Sequence, residues 1–144
     1  MTYTKEQRQE ILNVSTAGVL AQGRPALHNT KGGCAYRAFG PNGVIKCGIG
    51  HLIPDDKFQA MQKNHTDGMY ASALVRDEID FMPEHLRPQK VAADIDFLRI
   101  VQGCHDNAWS TTRPALETFV EDFKARVRDV AKNWDLEIPE GCRE

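Results

Sequence analysis

The sequence lacks most of the features that assign a protein directly to a functional class, such as membrane, secreted or DNA-binding proteins. It has no run of apolar residues long enough to span a bilayer, and it opens with the polar segment Thr2–Glu6 where a secretory leader would be basic and then apolar. The net charge is −2, without the basic stripe of a duplex binder. We therefore expect a cytoplasmic protein with neither duplex nucleic acid nor a membrane as its partner.

Catalytic and cofactor motifs are equally scarce. There is no G-x-S-x-G elbow and no phosphate-binding loop, because neither Gly32-Gly33 nor Gly48-x-Gly50 has the required Lys-Ser/Thr ending or context. The four cysteines form no C-x-x-C pair; they are Cys34, Cys47, Cys104 and Cys142. Without an export signal, reduced and packed thiols are the default expectation.

What is present is typical of a globular domain. The chain has 144 residues, of which 41% are hydrophobic and 26% charged, and this composition argues against disorder. We see no internal repeat and no linker, so we predict a single domain over 1–144. The fold class that the pattern predicts is α+β and mostly helical, with about four to five helices packed around one β-hairpin in the N-terminal half.

Local signals place the first helices. Thr4-Lys5-Glu6-Gln7 has capping-box spacing, so a helix begins after Thr4, and Gly23 followed by Pro25 is a stop signal. Pro54 with two following acidic residues opens a short helix through Met61. We predict a further helix from Met69 to Ile79 that ends near Pro83, at most one turn between Pro83 and Pro88, and a helix over 94–108.

The C-terminal helix has the clearest periodicity in the chain. We predict that it spans about 113–134, is the longest helix, is capped by Ser110–Thr112 and has Pro114 in its first turn. Its apolar residues recur at steps of three, four and seven; they are Leu116, Phe119, Val120, Phe123, Val127, Val130 and Trp134. We expect this face to be buried and the tail 135–144 to be loose.

The β signal lies at about 34–49. Two runs rich in β-branched and aromatic residues flank Gly40-Pro41-Asn42-Gly43, which predicts a hairpin with a four-residue connection. The simplest register sets Phe39 opposite Val44, Tyr36 opposite Cys47 and Cys34 opposite Ile49. The same register sets Arg37 opposite Lys46, at a small electrostatic cost, and a bulge would shift it.

A metal site is one hypothesis for this hairpin. If the second strand continues to His51, alternation puts Cys34, Cys47 and His51 on one face. Two thiolates and an imidazole suit zinc, and Cys104 or His105 is the candidate fourth ligand. The alternative is an apolar hairpin face with packed thiols, and no other cofactor is expected.

Two further groups of residues are open to more than one interpretation. His105-Asp106 fits either a hydrolase site or a buried histidine that hydrogen-bonds between helices, and Cys47 with His51 or His105 is a generic nucleophile–base pair. Tyr36, Arg37 and Lys46 form either a small basic and aromatic binding patch or a solvated hairpin face.

The hairpin resembles the active-site hairpin of phage muramidases. Tyr36-Arg37 precedes a turn and then Gly48-Ile49-Gly50-His51-Leu52-Ile53, similar to the G-I-G-H-L-L of those endolysins. The resemblance implies a lysozyme-like fold and glycan hydrolysis. Such hydrolysis needs a carboxylic acid and normally a second carboxylate, yet no Asp or Glu occurs between Gly23 and Ile53. The positions of the family's acids fall near Asn29 and at Ala38.

A second resemblance covers more of the chain. Cys34-x-Tyr36-Arg37 and Gly43-x-x-Lys46-Cys47-x-Ile49-Gly50-x-Leu52-Ile53-Pro54-Asp55 are similar to a segment of short uncharacterised proteins of tailed phages and prophages. The similarity resumes, after a weak middle at Asn64–Lys90, with Phe97-Leu98, Gln102, His105-Asp106 and Trp109. It brings no catalytic residue with it.

This resemblance implies a viral or prophage accessory protein that acts inside a bacterium. We expect a non-enzymatic protein that binds a host protein. Its candidate binding residues are Tyr36, Arg37, Lys46, Asp55, Asp106 and Trp109. The alternatives are a hydrolase, either a degenerate muramidase relative or a Cys/His-dependent enzyme, and a small zinc-stabilised structural module.

The missing carboxylates predict that the chain has no muramidase activity. Purified protein incubated with peptidoglycan should release no more reducing sugar than buffer does, beside an active muramidase as positive control. Clear release would contradict the argument from the missing acids and would make Asp55 the first residue to test.

Overall fold

The structure, a computed structural model, describes residues 2–24, 26, 36–40, 43–112 and 116–143, with the backbone alone at 38–40, 43, 109–112 and 116–117. The chain is α+β and mostly helical, as predicted. Its helices are α1 (Lys5–Gln22), α2 (Asp55–Lys63), α3 (Ala71–Arg76), α4 (Ala92–Thr112) and α5 (Leu116–Asn133). Its strands are β1 (Arg37–Gly40) and β2 (Gly43–Lys46), and 3-10 turns lie at Ile49–His51 and Glu84–Leu86. No helix in these ranges is long and apolar enough to cross a membrane.

The ends of α1 follow the local sequence signals. The Thr4 hydroxyl accepts a hydrogen bond from the Gln7 backbone N–H at 3.1 Å, and the Gln7 side chain accepts one from the Thr4 N–H at 2.8 Å. Gly23 then stops the helix in the left-handed conformation, at φ 69°. The predicted capping box and glycine stop are both confirmed.

The hairpin has the predicted register within its strands but is shorter than predicted, since Tyr36 and Cys47 lie outside them. The predicted four-residue connection was wrong, because Gly40 pairs with Gly43. Phe39 lies opposite Val44 and Arg37 opposite Lys46, as expected. The strands end at Lys46 because Gly48 has helical dihedrals, φ −52° and ψ −52°, and starts a 3-10 turn. The second strand therefore does not continue to His51, and strand alternation says nothing about the face on which His51 lies. Residues 34 and 35 lie outside the described ranges.

Three helices end, like α1, at a residue in the left-handed conformation, but that residue is not glycine. His65, Glu78 and Asp135 follow α2, α3 and α5 with φ of 59°, 58° and 55°. After α3, the Glu78 N–H donates to the Val75 carbonyl and the Ile79 N–H to the Leu74 carbonyl, which is the Schellman pattern. This reversal is why α3 stops at Arg76, short of the predicted end near Pro83.

The prediction for the α4–α5 boundary was wrong. Ser110, Thr111 and Thr112 form the last turn of α4 and do not cap α5, while Pro114 lies outside the described ranges. Within the described residues α4 has 21 residues and α5 has 18, so α5 is not the longest helix there. Serine or threonine within a helix costs roughly 0.5 kcal/mol of stability per residue. The packing of α4 along α5 can offset so small a cost.

One cluster of buried apolar side chains runs from Tyr3 to Cys142 and forms the core. The predicted apolar face of α5 is buried, with Phe119, Phe123 and Val127 at its centre. The tail is not loose as predicted: Cys142 is fully buried, and its carbonyl accepts a hydrogen bond from Arg128 at 2.9 Å. The tail packs because Leu136 and Ile138 also contact the core.

Truncation of Phe123 tests the place of α5 in the core. The ring is fully buried and stacks on Phe119 with centroids 6.2 Å apart, so Phe123→Ala should lower the free energy of unfolding by about 3–5 kcal/mol. Urea denaturation of this variant and of Lys132→Ala, an exposed position on the same helix, measures the difference. A loss at Phe123 no larger than that at Lys132 would contradict this packing.

Candidate functional site

Most of the candidate residues lie where the segment after β2 packs between α1 and α4. We call Tyr36, Cys47, His51, Gln102 and His105 the polar cluster; all but His51 are buried, and His51 is half-buried. Gly48 lies close against α1, where a Cβ would come within 2.5 Å of the Ser15 hydroxyl oxygen. Polar groups are thus concentrated in a part of the core that three elements share.

The structure does not assemble the predicted metal site from the residues it describes. No three His, Cys, Asp or Glu side chains among them lie together as a group that could hold a metal ion. Cys34 lies outside the described residues, so its pairing with Cys47 stays a prediction. The Cys47 sulfur accepts a hydrogen bond from the Gly50 N–H at 3.3 Å, which ties the thiol to the 3-10 turn.

Cys104, a candidate fourth ligand, is buried on α4. Burial raises the pKa of its thiol to about 12. The protonated thiol is therefore favoured over the thiolate that zinc binds. Cys104 packs as an apolar residue of the core, close to the α5 face.

His105 uses both of its ring nitrogens. Nε2 accepts a hydrogen bond from the Ala26 N–H at 2.9 Å, so the ring proton sits on Nδ1, which donates to the Asp106 carboxylate at 2.8 Å. The ring is fully buried and meets Phe119 edge to face. His105 is therefore buried, as the second interpretation predicts, but its hydrogen bonds go to Ala26 after α1 and to its neighbour Asp106 and do not join two helices.

His51 lies against α1 at a glycine. A Cβ on Gly18 would lie 2.3 Å from the ring of His51, so α1 and the 3-10 turn can approach only because residue 18 lacks a side chain. Nε2 is buried and has no hydrogen-bond partner in the described ranges. Burial, followed by the charge of Lys46, lowers the pKa of His51 to about 4, against a hydrogen bond to the Lys46 backbone that raises it.

Arg37 and Asp55, two of the candidate binding residues, bind each other. The Arg37 guanidinium lies 2.7 Å from the Asp55 carboxylate and donates to the Ile53 carbonyl at 3.0 Å. It also stacks on Phe58 of α2, 4.5 Å from the ring centroid. This contact fixes α2 beside β1, and it offsets the like-charge arrangement of Arg37 opposite Lys46.

Lys46 takes part in the site mainly through its backbone. The Gln22 side chain accepts from the Lys46 N–H at 2.6 Å and donates to the Lys46 carbonyl at 2.7 Å, so the end of α1 covers this edge of β2. With Tyr36 only 4% exposed, the expected surface of Tyr36, Arg37 and Lys46 does not exist as a patch.

Sequence reasoning missed the contacts around residues 69–71. The Tyr36 hydroxyl donates to the Met69 carbonyl at 2.6 Å, and the Ala71 N–H donates to the Gln102 side chain at 2.9 Å. Tyr70, between these two bonds, is 71% exposed. For Gln102 the sequence does contain a signal, namely a polar residue among the apolar positions of α4. No feature of the sequence marks Tyr70 as exposed. The side chain of Trp109 lies outside the described part of α4.

The environment of His51 predicts a loss of stability in acid. Its pKa is about 4 in the folded chain against 6.5 ordinarily, so between these values the unfolded state binds more protons. The His51 contribution to stability is present above pH 6.5 and is lost as the pH falls toward 4. The free energy of unfolding should therefore fall less steeply with pH in His51→Gln than in the wild type.

Urea denaturation at neutral pH and at about pH 4.5 measures that slope, with His65→Asn as the matched control at an exposed histidine. Asn suits the control because it tolerates the left-handed conformation of residue 65. An identical pH dependence in the wild type and in His51→Gln would show that the ring is not held in its neutral form.

Comparison of the chain with protein-family models, with curated proteins and with solved structures gives no match in any of the three.

Proposed function

We propose that this chain is a phage or prophage accessory protein that works in the host bacterial cytoplasm by binding and modulating a host protein, such as a defence or regulatory factor. It catalyses no reaction of its own. The similarity of its hairpin and α4 motifs to short phage proteins supports the setting. The exposure of the Tyr70 side chain supports the binding role.

Tyr70 is the observation that carries the proposal. Of the large apolar side chains that are exposed in the described ranges, it is the most exposed, at 71%. Tyrosine is enriched among the residues that dominate binding energy at protein interfaces. A ring held out from a fixed backbone also loses little conformational entropy on binding. Tyr70 therefore has the properties of an interface anchor.

The polar cluster favours binding over hydrolysis. A general base needs a ring nitrogen that can take a proton from the nucleophile. In the described residues, Nε2 of His105 already accepts from Ala26, and burial lowers the pKa of His51 to about 4, which makes its ring a weak base. The bonds of Tyr36 to Met69 and of Ala71 to Gln102 support a structural role for the cluster, because they hold the two residues that flank Tyr70.

Site-specific photocrosslinking tests the proposal. Benzoylphenylalanine at position 70 should capture one host protein from bacterial lysate, and an excess of unlabelled wild-type chain should compete with that capture. The same amino acid at Val91, another exposed apolar position, is the matched control and should not capture it.

The captured protein, once identified and purified, gives the quantitative test. Tyr70→Ala should weaken its binding by roughly 30-fold, the loss expected on truncation of an anchor residue, whereas Val91→Ala should leave the affinity unchanged. Calorimetry measures both constants. Equal capture from positions 70 and 91, or an affinity that Tyr70→Ala leaves intact, would overturn the proposal.

A further inference from the structure

We propose that Tyr36 and Gln102 are positioning residues, which fix the orientation of Tyr70 and thereby set the affinity for the host protein without touching it. This inference rests on the proposed function, and it assigns to two buried residues of the polar cluster a role in docking that is separate from the stability of the core.

The two residues control both backbone torsions of Tyr70. Tyr36 holds the Met69 carbonyl at 2.6 Å, which fixes the peptide unit that precedes Tyr70. Gln102 holds the Ala71 N–H at 2.9 Å, which fixes the peptide unit that follows. The carbonyl of Tyr70 itself accepts from the Leu74 N–H at 3.0 Å in the first turn of α3. Only the side-chain torsions of Tyr70 are left to be ordered by a partner.

The two anchors of the loop are neighbours. The Gln102 amide, whose oxygen holds the Ala71 N–H, also lies near the Tyr36 phenol and acts to lower its pKa. Burial raises the pKa of that phenol well above its ordinary value, which keeps its proton in place for the Met69 carbonyl. Gln102 lies on α4 and Tyr36 directly before β1, and both are buried. The backbone orientation of Tyr70 is therefore fixed relative to the core of the fold.

Because Tyr36 and Gln102 are buried, their effect on binding can be distinguished from direct contact with the partner. Tyr36 is 4% exposed and Gln102 is 7% exposed, so a protein docked on the surface cannot reach the polar atoms of either residue. An effect of Tyr36 on binding must therefore act through Tyr70. Freeing the backbone of one residue costs affinity by about tenfold when binding has to order it again.

The chain contains a matched control for Tyr36. Tyr3 is also 4% exposed, and its hydroxyl donates to the Leu86 carbonyl at 2.6 Å. Tyr3→Phe removes the same kind of buried bond as Tyr36→Phe, at a site where the bond holds the 3-10 turn at Glu84–Leu86 and not residues 69–71. A loss that merely reflects stability should appear in both variants.

The test compares Tyr36→Phe with Tyr3→Phe in the full chain. Amide relaxation and hydrogen exchange at residues 69–71 should show a lower order parameter and faster exchange of the Ala71 N–H in Tyr36→Phe only. Binding to the host protein captured at position 70 should weaken about tenfold in Tyr36→Phe and stay unchanged in Tyr3→Phe. Gln102→Met, which removes the acceptor for Ala71, serves if Tyr36→Phe does not fold and should behave in the same way.

Two results would overturn the inference alone: unchanged order at residues 69–71 in Tyr36→Phe, or equal losses of affinity in the two tyrosine variants. Loosened residues with unchanged affinity would also overturn it. Failure of position 70 to capture any host protein would instead remove the proposed function, and this inference with it. The relaxation measurement needs no partner, so the two failures can be distinguished.

Discussion

A glutamine side chain can pair with a backbone peptide group much as a neighbouring strand would, and the fold of this chain depends on that pairing. α1 uses it at two separated places. Gln22 binds both the N–H and the carbonyl of Lys46, and Gln9 binds both the N–H and the carbonyl of Glu137, at 2.6–3.0 Å. The peptide groups of Lys46 are half-buried and must be satisfied, so α1 determines where the end of the hairpin can lie. At the exposed Glu137 the same pairing attaches the tail to α1.

α4 does the same for segments that have little regular structure. Gln102 accepts from Ala71 at the start of α3, and the buried carboxylate of Asp94 accepts from the backbone N–H groups of Tyr3 and Gln89. The two helices therefore act as one scaffold, and the irregular segments attach to it through side-chain amides and carboxylates. In this arrangement the polar cluster links the scaffold to the residues that flank Tyr70.

The parts of the fold that could be predicted are those that local sequence determines. The capping box at Thr4 and the register of Phe39 opposite Val44 depend on residues only a few positions apart, and the buried face of α5 follows from helical spacing. The tail, the burial of Tyr36 and the support of Tyr70 depend on partners dozens of residues away. The sequence does not indicate which distant peptide group a glutamine will bind. These contacts, and with them the candidate site, could therefore be identified only from the structure.

Amide hydrogen exchange at Lys46 and Glu137 tests most directly whether α1 organises the fold through its glutamines. Gln22→Ala should speed exchange at Lys46 and leave Glu137 protected, and Gln9→Ala should do the reverse, because each side chain is the hydrogen-bond acceptor for one of the two N–H groups. Exchange at Lys46 that is as slow in Gln22→Ala as in the wild type would contradict the account.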